Sequence, residues 1–252
     1  MNAQHTAQTS PRRVLAALAA AGSAALLAAT WTVPAQAATI WDGDASNGTS
    51  VFGNAESECG DGELSVESDD GSYFRFEKSV GTYRCEARGI DVEGERYAFS
   101  ENSTYWIGWD QNVGFTSEGS EGDWVSWQWK SYPNADQNYP LLMRIDNGRM
   151  HLTYVGPGQA WQTIWSAPVE AGQWHRIAIG IHTSSSASDG WVELIVDGER
   201  QTFTDGSTRV AGRTWDSANE PKWGAYDRDN IAYEIVNRVR DPRIGTTSAD
   251  VA

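Results

Sequence analysis

The feature that most constrains this chain is a period of two. In "WVSWQWKS", Trp124 to Ser131, large apolar and polar side chains alternate, a pattern that suits a strand with one face buried and suits no helix. Similar short runs rich in Trp, Tyr, Val and Ile recur between clusters of Gly, Asn, Asp and Ser, and helical periodicity is hard to find after Ala37. Strands are predicted over Tyr73–Lys78, Tyr83–Arg88, Tyr105–Trp109, Trp124–Lys130, Leu141–Ile145, Met150–Val155, Trp161–Trp165, Trp174–His182, Trp191–Val196, Lys222–Tyr226 and Ala232–Val236. Asp197-Gly198 is a two-residue hairpin signal, so Trp191–Val196 is expected to fold back onto Glu199–Phe203. Many strands at this spacing imply an all-β fold of two packed sheets, a β-sandwich or jelly roll.

Residues 1–37 have the layout of a secretory signal: Arg12 and Arg13, an Ala/Leu-rich core and the small-residue site Ala35-Gln36-Ala37. Both general secretion and the twin-arginine route fit this layout. The remainder, Ala38 to Ala252, suits one domain, expected to be secreted and monomeric. Its cysteines, Cys59 and Cys85, would meet an oxidising environment there, which favours a disulfide over two buried thiols. The formal charge is −15, which disfavours nucleic acid and anionic membranes as partners. An anionic ligand in a locally basic cleft stays compatible with it, because salt screens exposed charges beyond about 8–10 Å.

Residues two apart on a strand share a face. In "YRCEARG", Tyr83, Cys85 and Ala87 point one way and Arg84, Glu86 and Arg88 the other. In "WVSWQWKS", Val125, Trp127 and Trp129 form an apolar face, opposite Trp124, Ser126, Gln128 and Lys130. In "KWGAY", Trp223 and Ala225 face inward, leaving Lys222, Gly224 and Tyr226 outward. Each polar face alone suits plain solvation. Side by side on a concave sheet the three would line a groove for an extended sugar chain, tryptophans stacking on its rings and polar groups holding hydroxyls and carboxylates. Gly224, with no side chain, would let a ring approach the backbone, so Gly224→Ala is expected to damage turnover without unfolding the protein.

These motifs, Arg84-Cys85-Glu86-Ala87-Arg88, Gln128-Trp129-Lys130 and Lys222-Trp223-Gly224-Ala225-Tyr226, resemble in order and spacing the R-x-E-x-R, Q-x-[HK] and K-x-G-x-Y strands of jelly-roll polysaccharide lyases. The similarity extends through "YWIGWD", "PLLMRIDNGRMHLTY" and "DPRIGTT", and points to the heparin lyase I-like and glucuronan lyase group, with alginate lyases of the same fold more distant. It implies a concanavalin A-like β-jelly roll, an acidic polysaccharide substrate and β-elimination: a base takes the C5 proton of a uronate and an acid protonates the departing O4. On matching positions Arg84 and Gln128 would neutralise the carboxylate and Tyr226 would shuttle the proton. Lys130, Lys222, Arg88, Glu86, Gly224 and Arg228 would bind substrate. Lys222, Lys130 or Arg88 would favour the phenolate of Tyr226.

Many of the alginate lyases have histidine where this chain has Lys130. A lysine is a poor substitute base at neutral pH, so the change favours syn elimination by tyrosine alone, as glucuronate or mannuronate geometry permits, or no catalysis at all. The second outcome would leave a carbohydrate-binding module on the same fold. Of the histidines, His175 is expected in the core with a hydrogen bond, His182 exposed, and His151 is the reserve base. "GIDVEGE" superficially resembles the catalytic strand of laminarinase-type glucanases, but Gly89 stands where their nucleophile belongs, so a solvated edge is expected. No cofactor is required by this chemistry; Asp42, Asp44 and Asp241, with Asn47, could hold a structural Ca2+, although Asx-rich turns spell the same pattern.

Overall fold

A computed structural model describes Met1 and residues 38–55, 59, 62–117, 122–133, 136–229 and 232–252. Apart from Met1, the expected export signal lies outside the described residues. Among the described residues seventeen strands follow in chain order: β1 (Thr39–Asp42), β2 (Glu63–Ser68), β3 (Ser72–Lys78), β4 (Arg84–Arg88), β5 (Asp91–Val92) and β6 (Glu95–Arg96). Next come β7 (Thr104–Val113), β8 (Trp124–Ser131), β9 (Leu141–Asp146), β10 (Arg149–Gly156), β11 (Ala160–Pro168) and β12 (Trp174–His182). The last are β13 (Trp191–Val196), β14 (Glu199–Arg200), β15 (Val210–Ala211), β16 (Asn219–Tyr226) and β17 (Ile235–Gly245).

They build two antiparallel sheets and one small hairpin. The nine-stranded sheet runs β14-β13-β12-β7-β17-β3-β2, with β1 on β17 and β15 on β13; the six-stranded sheet runs β11-β10-β9-β8-β16-β4. This is the all-β jelly roll that the alternation implies. Between the sheets lies one aromatic core, in which Trp109 of β7 stacks on Trp127 of β8 with ring centres 5.4 Å apart and meets Trp223 of β16 edge-on at 6.3 Å. Cys59 and Cys85 form the expected disulfide.

Local conformation follows the spelling where turns are concerned. Asp197 and Gly198 both take positive φ, 52° and 81°, and the β13–β14 hairpin closes there, although its second strand ends at Arg200 rather than Phe203. Five further expectations are corrected by the structure. The last strand is β17 rather than Ala232–Val236: it begins at Ile235 and, across a register shift between Arg240 and Arg243 where Asp241 has φ 46°, runs on to Gly245. Tyr83 precedes β4 and is exposed. A bulge between Val125 and Trp127 reverses the alternation, so Trp124 enters the core and Val125 turns to the opposite face. His182 is half-buried, bonded through Nδ1 to Thr104 Oγ1 at 3.0 Å and stacked on Trp191. His175 has its hydrogen bond, to Asp197 at 2.8 Å, at the strand's edge rather than in the core.

"GIDVEGE" forms the β5–β6 hairpin, apart from both large sheets. The expected Ca2+ ligands do not converge. Asp42 faces the Arg243 guanidinium at 3.5 Å, Asp44 accepts the Ser46 amide at 2.8 Å, and among the described residues no three acidic, histidine or cysteine side chains group as a metal site.

Candidate active site

The three motif strands are neighbours in the six-stranded sheet, in the order β8-β16-β4. Register sets Tyr226 opposite Arg84, Gly224 opposite Glu86 and Lys222 opposite both Arg88 and Gln128. Trp223 and Ala225 fill the core, as do Cys85 and Ala87, so the other face of these strands is free to build a site.

At its centre is Glu86, a carboxylate with 1% of its surface exposed. Its Oε1 accepts from Gln128 Nε2 at 2.6 Å, and its Oε2 lies 2.9 Å from Lys222 Nζ and 3.7 Å from Arg84 Nη1. One buried anion thus gathers three donors. Pairing is what allows Lys222, itself 1% exposed, to remain inside the sheet. The bond to Glu86 also orients the Gln128 amide, leaving its second N–H for another acceptor. The Arg84 guanidinium lies 4.7 Å from the centre of the Tyr226 ring. Tyr226 packs with Val125, Leu142 and Tyr139, and burial, followed by the nearness of Tyr226, raises the Tyr139 hydroxyl above its usual pKa.

These groups open onto a groove of about 670 Å³. Arg84, Gln128, Lys130, Lys222, Tyr226 and Arg228 all line it. The lining carries five cations and three carboxylates, so a basic cleft does occur in this acidic chain. Lys130 is anchored: its Nζ donates to Ser131 O at 2.9 Å and to Asn138 Oδ1, and it lies 4.6 Å from the Tyr132 ring centre. A carbonyl, an amide oxygen and a ring face all receive an ammonium, so Lys130 is presented as a cation rather than as a base.

Three expected substrate contacts, Glu86, Arg88 and Gly224, are not among the residues that line the groove. Glu86 is an anchor for the donors rather than part of the lining. Arg88 lies 4.1 Å from the Tyr132 ring and 3.4 Å from Glu220, outside the groove wall. Gly224 does not make room for a sugar: a Cβ there would lie 2.2 Å from Cys85 O and 2.5 Å from Glu86 Cα, so the glycine serves the close approach of β16 to β4. His151 is absent from the lining, and burial holds its imidazole below the usual pKa.

Half of the groove lining was missed by sequence reasoning. Tyr132, Asn138, Tyr139, Arg144 and Trp161 line it, with Asp123, Asp227 and Asp229 as the acids. "LLMRID" did carry a signal, since Arg144 interrupts an apolar strand on the face opposite Leu141, Met143 and Ile145.

The family model described as Polysaccharide lyase matches residues 43–248. An endo-β-1,4-glucuronan lyase from the fungus Trichoderma reesei superposes with a TM-score of 0.63 at 17% identity, covering 85% of this chain and 98% of its own. An alginate lyase of polysaccharide lyase family 7 gives 0.52 at 16% identity over 73% of this chain and 82% of its own. An alginate lyase from Corynebacterium sp. gives 0.53 at 14% identity, over 72% and 79%. No protein in the curated set matches.

Proposed function

The chain belongs to the polysaccharide lyase family, and from that premise we propose that it cleaves a β-1,4-linked glucuronan-like polyuronate by syn β-elimination at Tyr226. The observation that carries this reading is the gathering of Arg84, Gln128 and Lys222 by one buried carboxylate beside Tyr226.

The C5 proton of a uronate is weakly acidic until charge can spread onto its carboxylate, so donors placed at that carboxylate lower the barrier. Arg84 and the second N–H of Gln128 are those donors. Tyr226, as phenolate, takes the C5 proton; the C4–O4 bond breaks as the C4–C5 double bond forms; the phenol then returns the proton to O4. Proton and leaving oxygen lie on the same face in glucuronate, so one residue serves both steps. The anchoring of Lys130 as a cation supports this economy, since no second base stands in the position of the usual histidine. The fungal neighbour is a glucuronan lyase, which makes glucuronan the first polymer to try. Export is part of the proposal, supported by the signal-like layout of residues 1–37 and by the disulfide.

The test is ultraviolet absorbance of the unsaturated uronate during incubation with glucuronan, polymannuronate, heparin or hyaluronan. Tyr226→Phe is expected to reduce turnover at least about a hundredfold with polymer affinity retained. Binding without any absorbance would sink the proposal and leave a carbohydrate-binding module. Undiminished turnover by Tyr226→Phe would move the shuttle elsewhere.

A further inference from the structure

The row of residues crossing the sheet at Tyr226 continues beyond β8. Tyr226 pairs with Val125, and Val125 with Arg144. Arg144 therefore stands two strands away, roughly 10 Å along the sheet at ordinary strand spacing. Its neighbours Met143 and Ile145 are in the core, and its own side chain, 19% exposed, lines the groove.

Arg144 is held and yet incomplete. Its Nε donates to Asp123, and its guanidinium carbon lies 5.6 Å from the centre of the Trp161 ring. Among the described residues its two terminal nitrogens have no hydrogen-bond partner. Those nitrogens form the edge of the fork that receives a carboxylate in bidentate fashion. Trp161, on the edge strand β11, is 48% exposed, and Tyr139 meets it edge-on at 5.4 Å. A lone exposed tryptophan calls for no explanation. One braced by a tyrosine beside a groove-facing guanidinium is a platform with a charge at its rim.

We propose that Arg144 and Trp161 form a second uronate subsite, which binds a unit of the same polymer remote from the one at Tyr226. Arg144 receives that unit's carboxylate, and Trp161 stacks on the apolar face of its ring. The inference rests on the polyuronate reading above, and it makes turnover depend on chain length.

The experiment follows kcat/KM by absorbance over a series of glucuronan oligomers of increasing length, for the wild type, Arg144→Gln and Trp161→Ala. In the wild type kcat/KM rises once an oligomer spans both subsites. Arg144→Gln is expected to remove roughly ten- to a hundredfold of that rise, and Trp161→Ala roughly three- to tenfold. Arg144→Lys restores only part, because an ammonium lacks the fork. A rise with length that survives in Arg144→Gln, or a loss equal at every length, overturns the subsite. Calorimetry of the longest oligomer with Tyr226→Phe, with and without Arg144→Gln, separates the two proposals. If no polymer is cleaved but Arg144→Gln weakens binding by the same factor, the lyase mechanism fails and the subsite stands; equal affinity, or no binding at all, removes the subsite.

Discussion

Gly224→Ala probes the contact between β16 and β4 that holds the active-site face together. The residue has φ 152°, and its carbonyl accepts from Asn237 Nδ2 at 2.8 Å, so the backbone is fixed from the opposite sheet. An added Cβ would lie 2.2 Å from Cys85 O and 2.5 Å from Glu86 Cα. Both are backbone atoms of β4, so no side-chain rotation relieves the clash. Strained backbone costs about 1–3 kcal/mol, and overpacking costs about 1–3 kcal/mol more. A total of about 2–6 kcal/mol lowers the melting temperature of a domain this size by roughly 5–20 °C. Gly198→Ala is the control: its φ is 81°, but nothing lies within 4 Å of the added methyl, so only the conformational cost of about 1–2 kcal/mol applies. Urea and thermal unfolding of the two variants measure the difference. If Gly224→Ala is no less stable than Gly198→Ala, the close approach of the strands is not what requires the glycine, and an open place for a sugar ring again becomes its better explanation.

Glu86→Ala leaves Lys222 buried without its carboxylate and is expected to cost about 3–5 kcal/mol in urea unfolding; adding Lys222→Met should recover much of it, and no recovery would refute the ion-pair account. Burial, partly offset by a hydrogen bond with the Asp146 backbone, holds His151 below its usual 6.5. The unfolded chain therefore takes up this proton first as pH falls below 6.5, and the stability contribution present above that pH is lost toward the folded pKa. His151→Gln should flatten the fall in urea midpoint as pH drops below 6.5, and an unchanged slope would exclude His151 as its source. The disulfide joins residues separated by 26 positions, so Cys59→Ala with Cys85→Ala is expected to cost about 3.5 kcal/mol through the entropy of the unfolded chain; unaltered urea midpoints would contradict it.

Period two was legible where ladders are regular. It placed Trp223 and Ala225 inside and Lys222 and Tyr226 toward the groove without error, because β16 pairs in register with β4 throughout the motif. It failed at Trp124 and Val125, since one extra residue in β8 changes every face before it and no residue type announces the bulge. It failed again along β17, where the expected strand stops at Val236 while β17 runs on to Gly245 in the middle of a sheet, paired with β7. Gly224 showed that a side chain was unwelcome, but the neighbour that excludes it comes from a strand far away in sequence. The exposure of Trp161 depends on β11 being an edge, a property of strand order.

Strand order also explains how so acidic a chain presents cations to an acidic polymer. Bringing β4, β16, β8 and β9 together collects Arg84, Lys222, Lys130 and Arg144 on one face. The remaining acids are screened beyond about 8–10 Å, so the near field of the groove governs approach. Within it, Glu86, Asn138 and Asp123 each tether a donor. Such tethering matters for catalysis, because donors wholly free to wrap a ground-state carboxylate would bind substrate and product as firmly as the transition state, and only differential binding accelerates the reaction. On the proposed mechanism Gln128 meets the uronate with a single N–H in a fixed direction, while Arg84 keeps its exposed edge. Their help then grows as charge moves from C5 onto the carboxylate, which is where stabilisation lowers the barrier.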